Sequence, residues 1–135
     1  MDVIGHGIDL VEIARIEGML AEHGARFRQR CFTDAEQAYA EAAGGRRAER
    51  YAARFAAKEA VLKALGTGWR DGIAWTDIEI VSEPSGRPGV TLGGRCAEIA
   101  SELGIRRWRI SLTHAGGFAS ASALACGGSG ASGDG

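Results

Sequence analysis

The sequence predicts an α+β domain in which a long helix packs on an antiparallel sheet. Residues 48–65 form a run of good helix formers with neither proline nor internal glycine. Residues 77–81 and 107–112 alternate polar and apolar side chains with the two-residue period of strands. Glycine- and proline-containing turns separate these runs. The 135 residues, 45% hydrophobic and 24% charged, suit one domain with its own core, and neither a disordered chain nor a membrane protein.

In chain order, Val3, Ile4, Ile8 and Leu10 mark a short β-prone stretch, and helical spacing begins after Asp9, which places Asp9 at a strand-to-helix junction. Val11, Ile13, Ile16, Met19 and Leu20 outline an amphipathic helix that closes near Gly24, with Arg15 on its polar side. Thr33 and Glu36 have the spacing of a capping box and start a short helix that Gly44 and Gly45 break. The long helix follows and stops at Gly66-Thr67-Gly68. Ile73-Ala74-Trp75 and residues 77–81 are expected to be extended. Pro84 to Pro88 form a turn, and Val90 and Leu92 lie on the return strand of a hairpin. A further helix covers residues 95–103 and is closed by Gly104. Strands at 107–113 and 118–125 complete the sheet, the last small and apolar enough to be buried on both faces. The domain is expected to span residues 1–125, with the glycine- and serine-rich residues 126–135 as a disordered tail.

A formal net charge of -1 supplies no overall field for nucleic acid, so no such partner is expected and phosphates or acidic partners must be met by local clusters. Asp2, Asp9, Glu12, Arg15 and Glu17 interrupt the N-terminal region, which excludes a signal peptide or membrane span there and leads to a cytoplasmic expectation. Cys31, Cys96 and Cys126 are odd in number and widely spaced, as suits reduced thiols and not a disulfide framework or zinc site.

On the long helix, Arg54 shares a face with Lys58, and Glu59 with Lys63, each pair being four residues apart. Taken alone, this is a solvated face, and Asp9 taken alone could cap the helix after it. Two carboxylates from different elements also suit Mg2+, which takes one or two carboxylates and leaves its other positions to water and substrate phosphates. Gly66-Thr67-Gly68 could bring backbone N–H groups close to phosphate oxygens, or simply end a helix whose C-terminal dipole disfavours anions. His114 precedes Ala115-Gly116-Gly117, which leaves room beside its imidazole. No histidine spacing suggests a transition-metal centre, so a hard, oxygen-liganded ion is expected.

Taken in order, Gly7-Ile8-Asp9-Leu10-Val11-Glu12, Arg15-Ile16, Arg54-Phe55-Ala56-Ala57-Lys58-Glu59-Ala60, Lys63-Ala64 and Gly66-Thr67-Gly68 resemble the motifs of holo-acyl-carrier-protein synthases, the short-chain 4′-phosphopantetheinyl transferases. Asp77-Ile78-Glu79-Ile80, Gly86-Arg87-Pro88 and Ser111-Leu112-Thr113-His114 extend the resemblance over residues 2–125. It implies the 4′-phosphopantetheinyl transferase fold and a homotrimer with active sites between subunits. It also implies transfer of 4′-phosphopantetheine from coenzyme A to a serine of apo-acyl carrier protein, with release of 3′,5′-ADP, a reaction that serves fatty acid biosynthesis.

By the same resemblance, Asp9, Glu59 and Lys63 are catalytic, and Asp9 and Glu59 hold Mg2+ or Mn2+. Arg54, Lys58, Lys63, Gly66, Thr67, Gly68 and His114 contact coenzyme A, and Arg15 meets acidic residues of the carrier. Trp69-Arg70-Asp71, Leu112-Thr113 and Phe118 depart from the family pattern and bear on nucleotide contacts. Fatty-acid, polyketide and peptide carriers all remain open as acceptors. Two other functions fit the residues: a magnesium-dependent enzyme acting on a nucleotide or pyrophosphate without a protein acceptor, and a non-catalytic module gripping acidic proteins through Arg15, Arg26, Arg28 and Arg30.

Overall fold

The structure, a computed structural model, describes residues 2–68 and 72–128. Its main sheet is antiparallel, with β5 (Phe118–Gly127) in the centre between β1 (Val3–Glu12) and β4 (Ile105–Ala115). Side chains alternate across strands, so the register puts Gly5, Gly7, Asp9 and Val11 of β1 on the same side as Ala119, Ala121, Ala123 and Ala125 of β5. Trp108, Ile110, Leu112 and His114 of β4 continue that side. The long helix α3 (Arg47–Leu65) packs on it.

Close approach is possible because the facing strand residues are small. The four alanines are almost completely buried, and a Cβ on Gly7 or Gly5 would collide with the carbonyl oxygen of Ala60 or Ala64 respectively. These glycines are required by the backbone contact and not by an unusual φ. The opposite side of the sheet carries Ile8 and Leu10, both more than half exposed at 59% and 61%. Ser120, Ser122 and Leu124 are only half-buried, so β5 is covered on one face and not on both as its sequence suggested.

Several boundaries differ from expectation for local reasons. β1 runs on to Glu12, so Asp9 lies inside the strand and not at its end. The Ile13 N–H still donates to the Gly117 carbonyl at 2.9 Å, carrying the ladder to the first residue of α1 (Ile13–Cys31). Gly24 breaks the helical backbone of α1 at φ 49, but the helix resumes as far as Cys31, because Phe27 and Cys31 bury into the core with Phe32 and Phe55. α2 (Asp34–Glu41) has the expected capping box, with both Thr33 and Glu36 bonds present. Gly66 adopts φ 76 and ends α3 as predicted.

Trp75–Asp77 forms a 3₁₀ turn where extended chain was expected, held by the Ala74 N–H donating to Asp77 Oδ2 at 3.2 Å. It leads into the hairpin β2 (Ile78–Ser82) and β3 (Pro88–Leu92), followed by α4 (Gly94–Glu102). β5 continues through Cys126 and Gly127, past the expected end of the domain. Trp69, Arg70 and Asp71 and the tail from residue 129 lie outside the described residues. All three cysteines are free and buried. Among the described residues no helix is long and apolar enough to cross a membrane.

Candidate functional site

Asp9 and Glu59 come together as a consequence of the glycine contact. Gly7 rests on Ala60, so the next residue of β1 on that side, Asp9, arrives beside Glu59, the residue before Ala60. Lys63 lies on the same side of α3. Its Nζ donates to Asp9 Oδ1 at 3.1 Å and to the Ile8 carbonyl at 2.9 Å. The lysine therefore pairs with the strand carboxylate and not with Glu59, the partner its helical spacing suggested.

Glu59 holds its proton more tightly than an ordinary glutamate. Burial is the main cause and the charge of Asp9 adds to it, while Lys63 and Arg15 act in the opposite direction. Arg15 is exposed on α1 and thus stands beside this cluster. Two carboxylates with one directly bonded lysine leave negative charge in a half-covered place, where a divalent cation would relieve the repulsion. Among the described residues no group of three or more His, Cys, Asp or Glu surrounds a metal position. The donor set fits Mg2+ or Mn2+ held by Asp9 and Glu59, with water and phosphate oxygens filling the shell.

A second feature is a cavity of about 420 Å³ lined by Tyr39, Arg46, Arg50, Arg54, Leu112 and His114, among others. Arg54 is 96% buried, with 4% of its surface exposed. Its Nη2 donates to Ser82 Oγ at 3.1 Å. The guanidinium lies 4.1 Å over the Tyr39 ring, and that of Arg50 lies 4.2 Å from the same ring. Arg54 Nε is buried without a hydrogen-bond partner, and among the described residues no carboxylate forms an ion pair with Arg54. Burial pulls its proton affinity down. A buried guanidinium with no ion-paired carboxylate among the described residues, and with two more arginines on the same wall, is suited to a phosphate.

Lys58, expected to contact coenzyme A, has its ammonium turned to partners inside the chain. It is wholly enclosed, and its Nζ bonds Glu36 Oε1 at 2.7 Å, the Ile78 carbonyl at 2.6 Å and the Trp75 carbonyl at 3.1 Å. Burial lowers its proton affinity while Glu36 opposes that shift. Removing either partner alone would strand a buried charge, at a cost of about 3–5 kcal/mol. Arg54 and Lys58 thus occupy a buried face of α3, not the solvated one their spacing allowed.

Arg46, Arg50, Arg54 and Lys58 repeat every four residues, and each step turns about 40° around a helix of 3.6 residues per turn. The stripe consequently winds from exposed Arg46 through half-buried Arg50 to buried Arg54 and Lys58. Arg46, Arg50 and Tyr39 were not singled out from the sequence, although the four-residue spacing was there to be read. Glu36 was read only as a cap.

Asp9, Glu59 and Lys63 are not among the residues lining the arginine cavity, so the two features are separate within one chain. Gly66-Thr67-Gly68 does not line it either. It follows α3 one turn after Lys63, with Gly66 and Gly68 at φ 76 and 59. On the far side of α1, an apolar pocket of about 520 Å³ has Met19, Phe27, Phe55 and Trp75 in its wall and Arg26 and Arg30 beside them.

The model of the 4′-phosphopantetheinyl transferase superfamily matches residues 5–121. A curated holo-[acyl-carrier-protein] synthase of Koribacter versatilis is 44% identical over 122 residues, covering 90% of this chain and 97% of its own. Among solved structures, the holo-[acyl-carrier-protein] synthase of Helicobacter pylori in complex with coenzyme A superposes with a TM-score of 0.78 at 31% identity, covering 89% of this chain and 98% of that one. The acyl carrier protein synthase of Plasmodium yoelii with ADP bound gives 0.81 at 32% identity, covering 93% and 96%.

Proposed function

The chain belongs to the 4′-phosphopantetheinyl transferase superfamily, and on that premise we propose that it moves 4′-phosphopantetheine from coenzyme A to a serine of apo-acyl carrier protein, with Asp9, Glu59 and Lys63 as its reaction centre. The observation that carries this reading is the Asp9–Glu59 pair, two carboxylates brought together with Lys63 bonded to Asp9. Magnesium bound there would neutralise pyrophosphate charge and orient the phosphates.

The serine hydroxyl attacks the β-phosphorus of coenzyme A. A serine O–P bond forms, the bond to the bridging oxygen of the pyrophosphate breaks, and 3′,5′-ADP leaves. The raised proton affinity of Glu59 supports it as acceptor of the serine proton. Lys63, 55% exposed, is free enough to turn from Asp9 toward developing charge on a phosphate oxygen. Arg54 and His114 hold the nucleotide end in the arginine cavity, while Gly66, Thr67 and Gly68 approach the phosphates through their backbone. Arg15 with Arg26 and Arg30 beside the apolar pocket receives an acidic, apolar-faced helix of the carrier.

The separation of the two half-sites in one chain supports a homotrimer in which one subunit supplies Asp9 and Glu59 and its neighbour supplies His114. The uncovered face bearing Ile8 and Leu10 is apolar surface that a neighbouring sheet would bury. Buried, unpaired thiols suit the cytoplasm. Mass spectrometry of apo-carriers incubated with the protein, coenzyme A and Mg2+ tests the activity. Fatty-acid carrier should gain one phosphopantetheine, and an unmodified panel of fatty-acid, polyketide and peptide carriers contradicts the proposal. Light scattering should give the mass of three chains, and an active monomer would contradict the shared site.

A further inference from the structure

Beside Glu59 on α3 stands Lys58, which takes no part in the reaction as derived above. Its ammonium has three N–H groups and three acceptors within reach, and each acceptor belongs to a different segment. They are the Glu36 carboxylate of α2 at 2.7 Å, the Trp75 carbonyl of the 3₁₀ turn at 3.1 Å and the Ile78 carbonyl of β2 at 2.6 Å. Glu36 is equally committed. Its Oε1 also accepts the Thr33 N–H at 2.9 Å, and its Oε2 accepts the Ile80 N–H at 2.7 Å. Both side chains are 0% exposed.

A buried ion pair contributes little net stability compared with well-packed apolar residues, so stability alone is a poor reason for having one here. Geometry suggests another reason. The contacts of Gly5 and Gly7 with the Ala64 and Ala60 carbonyls bring α3 against β1 with Glu59 beside Asp9. The Lys58 bonds hold α3 in that rotation, because a turn large enough to move Glu59 off Asp9 also draws Nζ off all three acceptors.

We propose that the Glu36–Lys58 pair is a positioning element of the reaction, fixing the rotation of α3 so that Glu59 faces Asp9. This rests on Asp9 and Glu59 being the reaction centre. Neither Glu36 nor Lys58 needs to touch a substrate for it to hold.

The test compares Lys58→Met, Glu36→Gln, the double variant of both, Glu36→Asp and Glu59→Gln. Read for each are Tm, kcat, the Mg2+ concentration for half-maximal rate, and Mn2+ affinity of the substrate-free protein from the paramagnetic signal of free ion. The double variant, which strands no charge, should melt above Lys58→Met. It should nevertheless lose about tenfold to 10²-fold in kcat, the scale set by small misplacements of reacting groups. Its Mn2+ binding should weaken and its Mg2+ requirement rise, while KM for coenzyme A stays near that of the parent. Glu36→Asp, which keeps the charge on a shorter arm, carries the comparison if the other variants do not fold.

A folded double variant or Glu36→Asp with parental kcat and metal affinity overturns the proposal. So does activity that merely follows Tm across the set, as a packing role would produce. Full turnover by Glu59→Gln instead removes the reading of the reaction centre itself. A dead Glu59→Gln beside a fully active double variant removes only the positioning role.

Discussion

Lys58 and Lys63 stand on the same helix, each beside a carboxylate from another element, yet their surroundings differ. Around Lys58 every donor is matched: the ammonium finds one carboxylate and two carbonyls, and the carboxylate finds two backbone N–H groups besides. Around Lys63 there are two carboxylates, of which its exposed ammonium bonds Asp9, and Glu59 resists ionisation because it is partly buried and has Asp9 beside it. The saturated cluster holds the fold together, whereas the unsaturated one retains charge that only a ligand can meet. Arg54 repeats the lesson with the opposite sign, as a buried cation with an unpartnered Nε facing a cavity. Residual charge under partial cover is therefore what distinguishes the proposed site from the rest of this chain, which number and type of charged residue alone would not.

The largest effect expected from the unsaturated cluster is in Glu59→Gln. The substitution preserves shape and removes one of the two charges proposed to bind the metal, so kcat should fall by about 10²–10³-fold, the range seen when one preorganised electrostatic group is lost. Steady-state rates at saturating coenzyme A and carrier measure it, and undiminished rates would erase the distinction between the clusters.

Next comes Arg54→Gln, which removes the buried guanidinium from the cavity wall. Hydrogen bonds to charged groups contribute about 1.5–3 kcal/mol, so KM for coenzyme A should rise about tenfold to 10²-fold. KM for the carrier should hold. A parental KM for coenzyme A would mean that the cavity takes no phosphate.

Arg15→Glu should act on the other substrate, raising carrier KM by about tenfold, the effect of about 1.4 kcal/mol. Because exposed charges are screened, parental carrier KM should itself climb with salt, and the variant should lose much of that dependence. Salt series at fixed coenzyme A would show it, and an unchanged slope would take Arg15 off the interface.

The smallest effect concerns stability. The folded chain keeps the Glu59 proton more tightly than the unfolded chain does, so stability falls as pH rises from the ordinary glutamate range through the raised value, and the loss persists at neutral pH. Glu59→Gln cannot ionise and should melt higher than the parent at pH 7 without metal. Below the ordinary glutamate range the two should coincide.

Much of this was legible in the sequence. The capping box of Thr33 and Glu36, the long α3 and its stop at Gly66 depend on neighbours a few residues away, and each is present in the structure. Asp9 and Glu59 could be nominated from motif resemblance, but their meeting depends on Gly7 lying against Ala60, a contact between distant segments. The same holds for Lys58. Four-residue spacing placed it with Arg54, but spacing does not say which face of a helix is covered. The stripe that ends at Lys58 passes into the core, where Glu36 on α2 meets it. Glu36 was invisible as a buried partner because its local role as a cap already accounted for it.

The magnesium dependence of Tm in the presence of coenzyme A, compared between the parent chain and Glu59→Gln, tests the metal site most directly. A ligand that binds only the folded state raises its stability by RT ln(1 + L/Kd), with L the free ligand concentration. The parent should show an upward shift with Mg2+ and coenzyme A together that exceeds the shift with coenzyme A alone, and Glu59→Gln should show only the latter. Equal magnesium shifts in both proteins would contradict the assignment of the Asp9–Glu59 pair as the metal site.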